Sequence, residues 1–227
     1  MLIAEALESV EERIQKACIR SGRRREEIRL MAVSKFQPRS RIEEALKSGV
    51  RLFGENRVQE AAEKFPGPSL DYEVHLIGSL QRNKAKLAVR LFDCVQSVDR
   101  EEIIVELAKC AGEREGPLRV LLEFHTGEVS KSGFPDEESL CRGAEKLLSL
   151  PGLSAEGLMT MAPFSDDEKL IRASFRALVH AQGTLASRFP QVSWRCLSMG
   201  MSGDFEIAVE EGSTLLRIGT AIFGERK

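Results

Sequence analysis

Histidine, tryptophan and tyrosine are scarce in this chain: three, one and one among 227 residues. His75, His125 and His180 show neither HxxxH nor HxH spacing, which argues against a zinc protease or a structural zinc site. The five cysteines (Cys18, Cys94, Cys110, Cys141 and Cys196) are odd in number, scattered, and never form CxxC. They read as reduced, mostly buried thiols with no disulfide framework. Neither sign of charge is in excess, since 33 Lys+Arg against 35 Asp+Glu leave −2. A dedicated surface for nucleic acid or for anionic membrane needs a positive surplus that is missing here. No apolar run approaches the ~18 residues of a membrane span. Glu5, Glu8, Glu11 and Glu12 make the first segment acidic where a secretory signal is basic and then apolar. A cytoplasmic protein is expected. No linker rich in Pro, Gly or Ser divides the chain, so one domain over 1–227 is expected, with a leading helix in 1–22.

What is present is a repeated pattern. Hydrophobic residues make up 42% and charged residues 30%, enough for a folded core. Leu2, Ile3, Ala6, Leu7, Val10, Ile14, Ala17 and Cys18 share one helical face, and Ser21-Gly22 can end that helix. A short apolar run at 30–33 suits a strand, and Ile42, Ala45 and Leu46 mark a helix that Gly49 stops. Further strands are expected at 51–53, 73–77, 92–97, 118–123, 154–158, 193–197 and 214–218. Helical patterns follow the first six of these, at 56–64, 82–90, 100–112, 136–149, 166–188 and 203–211. Strands without polar alternation are covered on both faces, as in parallel sheets. Strict β-then-α order gives an α/β fold, and eight units match a closed (β/α)8 TIM-type barrel. A doubly wound open sheet stays open at this level. The leading helix is expected outside the eight units, closing the bottom of the barrel.

In such a barrel, chemistry sits where strands end. Lys35 directly follows the first strand, between Ser34 and Phe36. Partial desolvation there lowers an amine's pKa and makes it available for imine formation. A lysine that reaches solvent at the rim or pairs with a carboxylate is the other reading. Phe53-Gly54-Glu55-Asn56-Arg57 ends strand two, with Asn56 placed as a cap or a ligand donor. Arg217 lies inside an apolar run and needs a partner. Gly219-Thr220 and the loop Leu197-Ser198-Met199-Gly200-Met201-Ser202-Gly203-Asp204 carry small residues before helices. Together they form a credible phosphate cup, although each alone is equally consistent with a capped turn. GxSxG, P-loop and GxGxxG spacings all fail.

Taken in order, Val33-Ser34-Lys35, Phe53 through Glu60, His75 through Lys84, Ser130-Lys131-Ser132-Gly133, Gly157-Leu158-Met159-Thr160-Met161, Leu197 through Asp204 and Arg217-Ile218-Gly219-Thr220 resemble the pyridoxal phosphate homeostasis protein family. The resemblance covers roughly 29–226. It implies a fold-type III barrel similar to the N-terminal domain of alanine racemase, with pyridoxal 5′-phosphate (PLP) as the cofactor. By the same resemblance Lys35 is the Schiff-base lysine and Arg217 faces the pyridine nitrogen. Ser202, Gly219 and Thr220 hold the phosphate, and Asn56 and Met199 line the ring. Two stretches depart from the family pattern, Glu123-Phe124-His125-Thr126 and Gln96-Ser97-Val98-Asp99, both away from the lysine and phosphate positions.

PLP acts as an electron sink when a carboxylate keeps its ring nitrogen protonated. Arginine stays protonated and only donates. Racemases of this fold add a tyrosine from a separate domain of the partner subunit, and the single tyrosine here, Tyr72, opens strand three. The expectation is therefore a monomeric PLP-binding protein of vitamin B6 homeostasis, with little or no turnover, that passes PLP to apo-enzymes. A PLP-dependent racemase or decarboxylase is the first alternative. A barrel enzyme in which Lys35 forms an imine with a sugar-phosphate aldehyde is the second.

Overall fold

The structure is a computed structural model describing residues 2–112, 114–127 and 132–225, so Ser130 and Lys131 of the motif at 130–133 lie outside the described residues. Eight parallel strands close on themselves in chain order: β1 Arg29–Val33, β2 Leu52–Glu55, β3 Glu73–Leu76, β4 Cys94–Val98, β5 Leu118–Glu123, β6 Leu153–Met159, β7 Cys196–Ser198 and β8 Leu215–Ile218. Closure runs through β1, which pairs with β2 (Val33 opposite Gly54) and with β8 (Met31 opposite Arg217). The open-sheet alternative falls. Helices alternate with the strands: α1 Ile3–Ser21, α2 Arg39–Lys47, α3 Val58–Lys64, α4 Ala85–Leu91, α5 Glu101–Ala111, α6 Glu137–Leu148, α7 Glu168–Arg188, α8 Phe205–Glu210 and the short α9 Thr220–Phe223. Among the described residues, no helix is long and apolar enough to cross a membrane.

Two apolar populations follow from the two-residue period of a strand. Outward-facing residues such as Ala32, Phe53, Leu76, Val95 and Leu122 join the large layer under the helices. Inward-facing residues form small clusters inside the barrel, Met31 with Leu52 and Leu215, and Cys94 with Leu121 and Met159. The barrel interior is thus filled with side chains.

The sequence reading needs correction at three places. Strand seven begins at Cys196 rather than 193, because Trp194 sits buried at φ +46° with its indole N–H donating to the Phe189 carbonyl at 3.2 Å. A left-handed residue ends pairing on its N-terminal side. Strand four begins at Cys94, since the Phe92 N–H still closes α4 on the Ala88 carbonyl. The leading helix does not close the bottom. It packs on the flank against α8, α9 and α2, tied by Arg13–Glu206, Arg20–Glu210 and Ile3 N–H to Glu44. The two ion pairs run in the same order along both helices, so α1 lies parallel to α8. With α9 only four residues long, α1 fills the outer-ring place of an eighth helix. Its C-terminus is the expected one: Gly22 at φ +68° ends it, with Arg23 N–H returning to the Cys18 carbonyl.

Candidate functional site

The C-terminal mouth gathers most of the candidate residues, and strand parity decides how. Along β1, Met31 faces the barrel interior and Ala32 the helix layer. Ser34 continues outward, where its hydroxyl donates to Glu55 Oε1 at 2.8 Å. Lys35, half-buried, therefore emerges on the mouth side. The β1–β2 register, Val33 opposite Gly54, carries Asn56 to the level of that turn. Asn56 is braced from the next loop: a Cβ on Gly78 would lie 2.3 Å from the Asn56 carbonyl oxygen, and the Ser97 hydroxyl donates to the Gly78 carbonyl at 2.7 Å. Only glycine permits that approach.

On the other flank of β1, Gly219 lies against Val33, where an added Cβ would meet the Val33 Cβ at 3.4 Å. The Ala221 N–H donates to the Ser202 hydroxyl at 3.2 Å, joining the turn after β8 to the loop after β7. That loop is held by the Met201 N–H donating to Asp204 Oδ1 at 2.5 Å. Gly200, at φ +97°, folds so close to α8 that a Cβ would sit 2.6 Å from Ala208 Cβ. Ser202, Gly219 and Thr220 thus form one small-residue shelf beside the Lys35 turn. Met199 is the exception. Its side chain is fully buried in the layer beneath the helices, on the opposite face from Ser198, so it does not line the mouth.

Arg217 finds the partner its apolar setting demands, and more. Its guanidinium donates through Nη1 to Ser198 Oγ at 2.7 Å and through Nη2 to the Thr160 carbonyl at 2.7 Å. Burial lowers its pKa to about 10, opposed by the charges of Asp204 and Glu123, and the group stays cationic at neutral pH. From Ser198 a hydrogen-bond chain descends through the barrel: Ser198 Oγ to Gln96 Oε1 at 2.6 Å, Gln96 Nε2 to His75 Nδ1 at 2.8 Å, and His75 Nε2 to Glu73 Oε2 at 3.1 Å. Arg119 and Arg29 close it on Glu73 at 2.7 and 2.9 Å. Every donor points the same way if His75 carries its proton on Nε2, an arrangement in which successive bonds polarise one another. Burial lowers the His75 pKa, and the His75 hydrogen bond together with Arg119 holds the Glu73 carboxyl well below the usual range.

What the sequence reading did not foresee is that Ser198 and Thr160 contact Arg217 and that the chain continues through Gln96 and His75 to Glu73. The available signal was parity: Glu73 and His75 alternate with the outward Val74 and Leu76, the reverse of the polar-out pattern of a half-exposed strand. Gln96, in a stretch that departs from the family pattern, is one hydroxyl away from Arg217. Tyr72 lies elsewhere, edge-on to Phe53 and tilted against Phe65 with centroids at 6.2 and 5.6 Å in the outer layer. Chemically, the mouth offers an amine, a fixed guanidinium and a shelf suited to an anion.

The alanine racemase N-terminal domain family matches residues 6–227. Curated relatives named pyridoxal phosphate homeostasis protein match throughout: that of Vibrio cholerae is 42% identical over 99% of this chain and 96% of its own length. That of Aquifex aeolicus is 40% identical over the full length of both. Among solved structures, PipY of Synechococcus elongatus with PLP bound superposes with a TM-score of 0.84, at 36% identity over 98% of this chain and all of that one. An alanine racemase of Clostridium difficile shares the fold, with a TM-score of 0.74 at 14% identity, this chain spanning 56% of it. The chain belongs to the family of pyridoxal phosphate homeostasis proteins.

Proposed function

We propose that this protein holds PLP as a Schiff base on Lys35 and serves intracellular PLP homeostasis in the cytoplasm, as a monomer that passes PLP to apo-enzymes, with little or no turnover. The observation that carries the reading is the convergence of the Lys35 turn, the Arg217 guanidinium and the Ser202–Ala221 junction at one mouth. PLP bound to PipY, 36% identical to this chain, supports it.

The residues present fit the group. When bound, PLP supplies an aldehyde carbon, a ring nitrogen and a phosphate ester. Lys35 offers the amine, and condensation releases one water. Ser202 with the small residues Gly219 and Thr220 leaves room for phosphate oxygens to reach backbone N–H groups. Asn56 would line the ring. Arg217, pinned by Ser198 and Thr160, would offer its remaining donors to the ring nitrogen.

The same residues argue against catalysis. A guanidinium with a pKa lowered to about 10 donates to the ring nitrogen without protonating it, which weakens the electron sink. Tyr72, packed in the outer aromatic group, supplies no second base at the mouth. Titration with PLP tests the reading: the wild-type protein turns yellow and borohydride fixes the cofactor on Lys35, whereas Lys35→Ala forms no reducible link while retaining weak phosphate-driven binding. Racemisation or decarboxylation of amino acids at ordinary enzymatic rates would instead establish the enzyme alternative. Incubating the loaded protein with an apo-enzyme, and measuring recovered activity, tests transfer.

A further inference from the structure

Behind the Lys35 turn lies an ion cluster that none of the contacts above requires. Lys64, the last residue of α3, has a side chain only 10% exposed and is lodged between two carboxylates. Its Nζ donates to Glu55 Oε1 at 3.1 Å, to Glu60 Oε1 at 2.5 Å and to the Ser34 carbonyl at 2.8 Å. Glu60 in turn accepts from the Phe36 N–H. Glu55 is fully buried, its Oε2 has no hydrogen-bond partner among the described residues, and burial raises its pKa.

The geometry has a specific target. The Ser34 carbonyl belongs to the peptide unit before Lys35, and the Phe36 N–H to the unit after it. One cluster therefore grips both peptide units flanking the Lys35 Cα, with an ammonium on one and a carboxylate on the other. Charge-assisted bonds of this kind are about twice as strong as neutral ones. They oppose a backbone cost, because Phe36 sits at φ +64°, a conformation that bulky residues rarely adopt. Burying two carboxylates and an ammonium is expensive.

We propose that Lys64 and Glu60, backed by Glu55, are positioning residues that fix the main chain of Lys35 so that its amine meets the ligand at the mouth. The inference rests on Lys35 being the point of covalent attachment. Lys64 and Glu60 act through the backbone without touching the ligand. Loss of the grip leaves the phosphate shelf and Arg217 intact, so covalent capture falls while non-covalent binding persists.

The test measures two quantities on the full chain: total bound PLP after gel filtration, and the fraction that borohydride fixes on Lys35. Lys64→Met is expected to retain bound PLP but to form the reducible link roughly 10- to 100-fold more slowly, the range in which small misplacements of a reacting group act. Glu60→Ala is expected to do the same, and Glu60→Gln, which keeps an oxygen for the Phe36 N–H, to restore much of the rate. Amide hydrogen exchange at Phe36 reports the loosened turn, and protection retained in the barrel strands shows that the variants remain folded. Wild-type trapping rates in Lys64→Met and Glu60→Ala, with Phe36 exchange accelerated, would overturn the proposal. Reduction of wild-type protein at a lysine other than Lys35 would overturn the attachment reading, and this inference with it.

Discussion

The two ends of the barrel interior handle charge in opposite ways. At the bottom, Glu73 is surrounded by Arg29, Arg119 and His75, and the charges answer one another. At the mouth, the hydrogen bonds of Arg217 go to uncharged atoms, the Ser198 hydroxyl and the Thr160 carbonyl, so among the described residues the cation is oriented without an ion-pair contact. One end spends its charges on the fold, and on the proposed reading the other keeps its cation for a ligand. The chain through Ser198, Gln96 and His75 links them, so an anion at the bottom orients the donor near the top.

That contrast can be broken from either side. The largest effect is expected for Arg217→Met. It leaves Ser198 and the Thr160 carbonyl short of donors inside the barrel, at a cost of about 2 kcal/mol, which lowers the melting temperature by roughly 4–8 °C for a chain of this size. PLP affinity should also fall about tenfold, the equivalent of one lost charge-assisted contact. An unchanged affinity would mean that the guanidinium serves only the core.

The bottom is probed by pH. His75 and Glu73 both have folded pKa values below their ordinary 6.5 and 4.5. The unfolded chain then binds more protons on acidification, so stability is present at neutral pH and is lost as pH falls, first below about 6.5 and more steeply below about 4.5. Glu55 and Glu123, raised by burial, contribute the other way: their share is fully present below 4.5 and is lost as pH rises through their folded values. Melting curves should therefore show an acid limb that flattens in Glu73→Gln. An equally steep limb in that variant would place the acid sensitivity elsewhere.

The smallest effect belongs to the outer layer. Tyr72→Phe preserves the ring contacts with Phe53 and Phe65, so PLP loading and any residual activity should stay within error of wild type. A marked loss would give the tyrosine a role that its position denies.

Much of this was legible in the chain because parallel strands covered on both faces leave uninterrupted apolar runs, and glycines mark the helix ends. Lys35, Asn56, Arg217, Ser202, Gly219 and Thr220 could be picked out as candidates because polar and small residues at strand ends interrupt those runs. What stayed hidden depended on which face a residue takes. Met199 and Ser198 are adjacent, yet one enters the apolar layer and the other the barrel interior. A polar residue facing inward is indistinguishable in the sequence from one facing water until the closed barrel assigns its side. Trp194 hid the start of β7, because its left-handed backbone is set by the pocket it fills. The flank position of α1 depends on α9 being too short to complete the ring, which no local pattern reveals.

Peptide mapping after borohydride reduction of the PLP-loaded protein tests the central claim most directly. The account predicts a single modified peptide, spanning Lys35, that is absent from Lys35→Ala. A modified peptide elsewhere, with the one containing Lys35 recovered unaltered, would contradict it.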